Sequence, residues 1–276
     1  MKFKLNEKGF YELDVEVKTS VSYPQHGNSD CFELEEHSQW FNARNLTLHW
    51  LLSKFDFSGS FVDVGGGNGY QLSFLQKTLF EFKGIDSGLC EPGYLGCLNA
   101  SSRGVKNIYC TTSDYFPYSN FNAGGLGFFD VIEHIENDAE FLQSIAEKVE
   151  KGTRFYITVP ALKFLFSSED SFAGHFRRYN SQNTKELIDD SGLKLIYESY
   201  FFSYYVPFVW LLRVVPEKLG LYPKRDESFD REKSYHKQSA ALKWMLNAMH
   251  GIELLLMRIG IKPFAGTSRI IILEKE

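Results

Sequence analysis

The sequence predicts an α/β protein built on a doubly wound, mostly parallel sheet. Three observations lead there. Apolar runs alternate with amphipathic helical segments from Phe61 to Val159, the pattern of β-α-β units. A glycine-rich turn, Gly65 to Gly69, follows the first of those runs. The chemically informative residues fall where the runs end, and sheets of this class bind ligands beyond the carboxyl ends of their strands.

The elements are expected in the following order. Tyr11, Leu13, Val15 and Val17 alternate with Glu12, Asp14 and Glu16 behind an Asn6-Glu7-Lys8-Gly9 turn signal, which predicts a small hairpin. Residues 21–30 read as a polar loop with Pro24, Gly27 and Asn28. Leu34 to Lys54 reads as one helix, with Trp40, Arg44, Leu48, Leu51 and Leu52 at helical spacing. Strands are expected at Phe61–Val64, Ile85–Cys90, Asn107–Cys110, Leu126–Val131, Arg154–Val159, Leu193–Tyr205 and Ser268–Leu273. Between them, one helix carries Leu72, Leu75, Leu79 and Phe82 inward. Others span Tyr94 to Ser102, ended by Gly104, and Asp138 to Val149, closed by Lys151-Gly152. The organisation is therefore a hairpin and loop over residues 1–32 and an α/β domain over residues 33–274. An insertion over about 206–263 interrupts it, with apolar helical stretches at Val206–Leu219 and Ala240–Ile259. Those helices form a cap over the site or, beyond that, touch lipid or cover a lipid-linked molecule.

Composition bounds the function. The chain has 276 residues, 43% hydrophobic and 24% charged, with a formal net charge of -5. No sustained basic stripe is present, so nucleic acid is not expected as a partner. Lys224 to Lys237 is mixed in sign and reads as a solvated face. Aromatics reach 16%, with 25 Phe and 15 Tyr, which fits a Phe-rich core, an apolar pocket or a membrane-facing surface. The cysteines Cys31, Cys90, Cys97 and Cys110 form no C-x-x-C pair, and they read as reduced thiols of a cytosolic protein. Met1 to Glu7 lacks the apolar run of a signal peptide. The most apolar stretch, Tyr200 to Leu212, is broken by Pro207 and ended by Arg213, so no span is expected. Oligomeric state is not readable.

The glycine turn is the most informative feature. In Val62-Asp63-Val64-Gly65-Gly66-Gly67-Asn68-Gly69-Tyr70, glycine lets backbone N–H groups approach a ligand closely. A dinucleotide fingerprint is G-x-G-x-x-G. Here the third glycine comes one residue early, and Tyr70 stands where that fingerprint needs glycine. With Asp63 two residues ahead of the turn, the segment resembles motif I of the class I S-adenosylmethionine (SAM) dependent methyltransferases. Asp130-Val131-Ile132-Glu133-His134-Ile135 is similar to the D-V-L-E-H-I element of that group. Gly174-His175-Phe176-Arg177-Arg178-Tyr179, Glu36-His37, Trp40-Phe41 with Arg44, and Pro263 to Ser268 extend the resemblance over about 33–274.

The resemblance implies a seven-stranded Rossmann-like methyltransferase sheet and SAM as cofactor. Asp63, Gly65, Gly67 and Gly69 would form the cofactor turn. The ribose hydroxyls need a carboxylate, for which Asp86 and Glu91 compete. Glu91 is favoured because Glu91-Pro92-Gly93 reads as a strand end meeting a turn. Thr112 aligns with a position that commonly carries an adenine-binding Asp. Phe129 is expected to flank the cofactor or to sit in the core. Arg44 is expected to hold the SAM carboxylate or to be an ordinary surface arginine.

Asp130, Glu133 and His134 crowd two carboxylates and an imidazole at one strand end, with His175 on a later loop. A similar E-x-x-E-H element binds a divalent metal in the ubiquinone-pathway and small-RNA O-methyltransferases. The four residues are thus candidate ligands for Mg²⁺ or Mn²⁺, with Zn²⁺ also compatible with mixed O/N donors. Such a metal would activate a hydroxyl. The other readings are His134 as a metal-free general base and a structural role for Glu133. Asp130 stands where the pattern has the longer glutamate. Arg177, Arg178 and Tyr179 are candidates for clamping an anionic acceptor, or for anchoring their loop. The expected function is methyl transfer to an unidentified small, lipid-linked or sugar-linked acceptor, with a hydroxyl oxygen as the first choice. The expected location is the cytoplasm, with peripheral membrane contact. The rivals are a catalytically silent SAM-binding scaffold and a nicotinamide-dependent oxidoreductase.

Overall fold

The computed structural model describes residues 2–13, 27–221 and 239–276. Val15, Val17 and the mixed-charge segment Lys224 to Lys237 lie outside the described residues.

Among the described residues nine strands form one sheet. They are β1 (Phe3–Leu5), β2 (Tyr11–Leu13), β3 (Ser60–Val64), β4 (Ser87–Glu91), β5 (Ile108–Cys110), β6 (Ala123–Phe129), β7 (Arg154–Pro160), β8 (Lys194–Phe201) and β9 (Ser268–Glu274). Their order is β1-β2-β5-β4-β3-β6-β7-β9-β8. The five strands β5, β4, β3, β6 and β7 run parallel, while β9 slots antiparallel between β7 and β8. The order reverses at β3, which has β4 on one side and β6 on the other. The carboxyl ends of β3, β4 and β6 therefore open the crevice in which such sheets bind ligands. The terminal hairpin is not a separate unit. Its strand β2 pairs parallel with β5 and extends the sheet.

Alternation of side chains sends one set of residues to each face of the sheet. In β9, Ile270 and Ile272 join one core, and Ile271 and Leu273 join the other. In β3, Phe61 goes to the first core, and Val62 and Val64 go to the second. Both faces are covered, which explains why β3 is buried along its whole length.

The helices are α1 (Gly27–His37), α2 (Gln39–Lys54), α3 (Tyr70–Leu75), α4 (Glu81–Lys83), α5 (Tyr94–Ser102), α6 (Asp138–Ala146), α7 (Ser168–Phe172), α8 (Ser181–Ser191), α9 (Val206–Val209), α10 (Val215–Lys218) and α11 (Ala240–Arg258). The single helix expected from Leu34 to Lys54 is two, broken at buried Ser38, and the first begins already at Gly27. A π-helical turn, Gln76–Phe80, joins α3 to α4. The extra residue per turn rotates the later side chains. Phe80 is buried and Phe82, expected inward, is 85% exposed. The helix still runs to Lys83 and ends at left-handed Gly84. This delays β4 to Ser87 and puts Glu91 at its carboxyl end.

The insertion carries α9, a π-helical turn Trp210–Val214, α10 and α11. Helix α11 lies against α2: the Thr47 hydroxyl and His250 Nε2 are 3.4 Å apart, and Gln39 donates to Asn247. Helix α10 reaches the loop after β7, where Ser168 donates to Glu217. No described helix is long and apolar enough to cross a membrane. None of the four cysteines is in a disulfide.

Candidate active site

The turn after β3 is held in a conformation that glycine accommodates. Gly65, Gly67 and Gly69 have φ of +71°, +54° and +66°, the left-handed region that costs other residues energy. Gly66 lacks the positive φ but has no room: an added Cβ would lie 2.5 Å from Asp63 Oδ2. Asp63 is fully buried beneath the turn, and its carboxyl oxygens have no hydrogen-bond partner among the described residues. Burial pushes its pKa up to about 7, against the pull of Arg44.

Glu91 sits at the carboxyl end of β4 and faces this turn. Its Oε2 accepts from the Gly67 amide at 2.9 Å and its Oε1 from the Gly93 amide at 2.8 Å. Burial pushes its pKa up to about 7, although both amides favour the charged form. Asp86 is at the other end of the strand. Its Oδ1 accepts from the Ser87 amide and from Asn107 Nδ2, both at 2.9 Å. Of the two ribose candidates, only Glu91 touches the glycine turn.

The remaining cofactor candidates take different positions. Thr111 donates its amide to the Glu91 carbonyl at 3.1 Å, so the end of β5 runs beside Glu91. The hydroxyls of Thr111 and Thr112 are buried without a partner among the described residues. Phe129 turns into the core, with its ring stacked on Phe61 at 6.3 Å between centroids. It fills space left by Gly127, where a Cβ would come within 2.7 Å of the Phe129 ring. The core reading of Phe129 is the one its ring follows. Arg44 is buried, not a surface residue. One amino group pairs with Asp130 Oδ2 at 2.9 Å, while Nε and Nη2 have no partner among the described residues.

Glu133 and His134 lie on a short 3₁₀ turn, Ile132–His134, directly after β6. Glu133 is fully buried, and its carboxyl oxygens have no hydrogen-bond partner among the described residues. Burial, then the charge of Asp130, raises its pKa well above the usual carboxylate range. Burial and neighbouring His175 push His134 down to about 4. The two imidazoles meet edge to face at 4.8 Å between centroids. One ligand atom each from Glu133, His134 and His175 lie within 4.8 Å of one another. Asp130, expected in this set, is not in it. Its backbone takes a left-handed φ of +56°, and its carboxylate turns to Arg44 and to the Thr158 hydroxyl. A non-glycine residue held there at a strand end is a strained feature of the kind that collects at functional sites.

The loop after β7 is tied by two aspartates. Asp170 Oδ1 meets His175 Nδ1 at 3.0 Å and accepts from Arg178 Nε at 2.8 Å; its Oδ2 accepts from the Ser167 amide at 3.0 Å and from Arg213 Nη2 at 3.4 Å. Burial alone would raise its pKa, but the bond with His175 and the charges of Arg178 and Arg213 hold it below the usual carboxylate range. Asp138 Oδ2 accepts from Tyr179 at 2.6 Å and from Arg177 Nη1 at 2.8 Å. Arg178 and Tyr179 are buried. Arg178 and Tyr179 turn inward, as anchors of the loop would, while Arg177 is partly exposed. Asp170 was not among the expected site residues. The Ser167-x-x-Asp170 spacing of a capping box, which α7 forms, is the signal that marks it.

A second group missed by sequence reasoning braces the glycine turn from behind. Arg103 bonds Glu35 Oε2 at 2.5 Å, the Asn68 carbonyl at 3.1 Å and the Phe32 carbonyl at 2.8 Å. Its guanidinium also lies near the rings of Phe32 and Tyr70, contacts that arise only when α1 and α3 pack beside α5.

A glycine turn at the switch point, a carboxylate on the neighbouring strand and a Glu-His pair after β6 are thus gathered at one edge. The model of the methyltransferase-domain family matches residues 35–198, more than half of the chain. The chain belongs to the SAM-dependent methyltransferases. Among solved structures, this methyltransferase is similar to Haemonchus contortus phosphoethanolamine N-methyltransferase 2 bound to SAM, with 14% identity and a TM-score of 0.54. The match covers 93% of this chain and 58% of that enzyme. It is similar to a Haloferax volcanii methyltransferase in complex with the Trm112 methyltransferase activator, with 13% identity, a TM-score of 0.54, and 91% and 96% of the two chains covered. It is also similar to the plantazolicin methyltransferase BpumL in complex with SAH, with 12% identity, a TM-score of 0.52, and 91% and 90% covered. At these identities the likeness is one of fold. No curated protein matches the sequence at a significant level.

Proposed function

We propose that this methyltransferase transfers the methyl group of SAM to a hydroxyl oxygen of a small, lipid-linked or sugar-linked acceptor, in the cytoplasm and peripherally at a membrane. The observation that carries the cofactor site is Glu91, bonded to the Gly67 amide at the carboxyl end of β4. The residues fit SAM by their unmet polar atoms: Thr111 and Thr112 hydroxyls, and the Nε and Nη2 of Arg44, are buried at this edge without hydrogen-bond partners among the described residues. Glu91 would hold the ribose hydroxyls, Thr112 the adenine side, and Arg44 the carboxylate. Gly65, Gly67 and Gly69 would line the methionine part, with Asp63 as the buried support of the turn. SAM supplies an electrophilic methyl group. The protein's part is to align the acceptor with it and to exclude water, which accounts for much of such a rate gain.

Glu133, His134 and His175 would prepare the acceptor. Their donor set of one carboxylate and two imidazoles fits a divalent cation, and the unpartnered Glu133 oxygens are what such an ion would satisfy. A cation there would lower the pKa of the acceptor hydroxyl. Asp130 would stand beside the set, orienting Arg44. A metal-free reading is favoured by Asp170: a buried carboxylate on His175 Nδ1 fixes the ring and leaves the other nitrogen to take the acceptor proton. His134 is pushed down to about 4 by burial and the neighbouring His175, which makes it a weak base. In both readings Arg177, Arg178 and Tyr179 hold the loop that carries His175.

The test is methyl transfer from radiolabelled SAM to a panel of alcohol acceptors, with Glu91→Ala and His175→Ala as variants. SAH binding weakened about 100-fold in the first, and loss of turnover with SAH binding retained in the second, are the expected results. A chain that binds SAH yet keeps its turnover in His175→Ala and in Glu133→Gln would overturn the catalytic assignment.

A further inference from the structure

We infer that the outward face of α11 is a docking surface for an anionic lipid bilayer. Helix α11 is apolar on both sides. Leu246, His250, Glu253, Leu254 and Met257 are buried against the domain. On the opposite side, Trp244, Met245, Ile252, Leu255, Leu256 and Ile259 are exposed, with Trp244 at 74%, Ile252 at 61% and Ile259 at 67%. At 3.6 residues per turn, these six fall within an arc of about 120°, and no charged side chain interrupts it. Phe264, just beyond the helix, is 96% exposed. A contiguous apolar stripe of this kind is an interaction site.

The charges around the stripe select the occupant. From residue 239 to residue 264 the exposed charged side chains are Arg258 and Lys262, both basic, while half-buried Lys243 turns to the domain and donates its Nζ to the His37 carbonyl at 3.2 Å. The one acid in that stretch, Glu253, is buried and accepts from the Phe202 amide at 2.6 Å and the Ser203 amide at 2.7 Å. An exposed apolar face with Trp at one end, basic residues at the other and no outward acid is the composition of a helix that lies in a bilayer interface. Its basic residues would meet anionic headgroups. A membrane span is not required, and no described helix provides one.

This inference deepens the reading of a membrane-borne acceptor and rests on it only for its purpose. The other insertion helices reach the site loop: Arg213, on the turn between α9 and α10, bonds Asp170, which holds His175. A protein resting on α11 would keep that loop close to a lipid-linked acceptor.

The test is co-sedimentation of the full chain with vesicles of phosphatidylcholine alone or mixed with phosphatidylglycerol. Binding to the mixed vesicles is expected, weakened by salt. The triple variant Trp244→Ser, Ile252→Ser, Leu255→Ser should bind them more than about tenfold less, since each side chain loses apolar burial. Arg258→Glu with Lys262→Glu should lose the preference for anionic lipid. Neither variant touches the site, so SAH binding and melting temperature should stay at wild-type values and certify the fold. No vesicle binding, or equal binding by the triple variant, would overturn the inference. So would a stable dimer in sedimentation equilibrium that the triple variant dissolves, because a second copy would then own the face. Vesicle binding by a chain that fails to bind SAH would leave this surface standing and remove the enzymatic reading instead.

Discussion

Replacing Glu91 with alanine should weaken SAH binding by about 100-fold or more. In the structure the carboxylate holds two amides, Gly67 at 2.9 Å and Gly93 at 2.8 Å, and is only 6% exposed. A hydrogen bond to a charged group contributes roughly 1.5–3 kcal/mol. Removing the carboxylate takes away the ribose contact and frees the Gly67 amide, so roughly 3 kcal/mol is a modest total. At 1.4 kcal/mol per decade this is about two decades in Kd. The site also carries a pH signature. The carboxyl is pushed up to about 7 by burial, and ribose hydroxyls favour its ionised form. Binding should therefore release a proton, and affinity should fall as pH drops below 7, in wild type but not in Glu91→Ala. Asp86→Ala is the control. Asp86 lies five residues away along an extended strand, roughly 16 Å at 3.3 Å per residue, and should leave Kd unchanged. Isothermal titration with SAH across pH measures all of this. Wild-type affinity in Glu91→Ala, or loss in Asp86→Ala, would refute the assignment of the ribose carboxylate.

Other outcomes follow from the same geometry. Gly66→Ala should destabilise the fold and abolish SAH binding, because its Cβ would sit 2.5 Å from Asp63 Oδ2 and 2.6 Å from Leu89 Cδ1; an unchanged melting temperature would contradict this. If a cation acts at Glu133, His134 and His175, EDTA should abolish turnover and Mn²⁺ or Mg²⁺ restore it, whereas full activity in EDTA leaves the Asp170–His175 pair as the base. His250, buried beside Thr47, is pushed down to about 4 by burial. Its folded pKa is thus below its unfolded value of roughly 6.5. The stability it contributes is complete above that value and is lost as pH falls toward 4. At pH 5 the loss is of order 2 kcal/mol. Urea melts at pH 7 and pH 5 should show a smaller difference in His250→Phe than in wild type, and equal differences would reject the account.

Much of the fold was legible because its signals are local. The β-α alternation, the glycine turn and the Glu91-Pro92-Gly93 strand end are all read within a few residues, and they place β3, β4 and the cofactor edge. The π turn in Gln76–Phe80 was not legible: no residue type marks it, and it sends Phe80 inward and Phe82 out. The Arg44–Asp130 pair joins residues far apart in sequence, and it explains why an aspartate expected among metal ligands points elsewhere. Arg178 and Tyr179 read equally as an anion clamp or as anchors of their loop, and the partners that draw them inside, Asp170 and Asp138, are set by tertiary packing. Likewise, Arg103 braces the glycine turn through the Asn68 carbonyl and is held in place by Phe32 and Glu35 of α1, which the packing of α1 on α5 brings to it. Such contacts depend on tertiary placement, which one-dimensional spacing does not carry.

The most direct measurement is isothermal titration of the wild-type chain with SAH, with NADH as the competing ligand class. Micromolar binding of SAH, silent toward NADH and weakened about 100-fold in Glu91→Ala, is the predicted result. No binding of SAH, or binding of NADH at the same edge, would contradict the account.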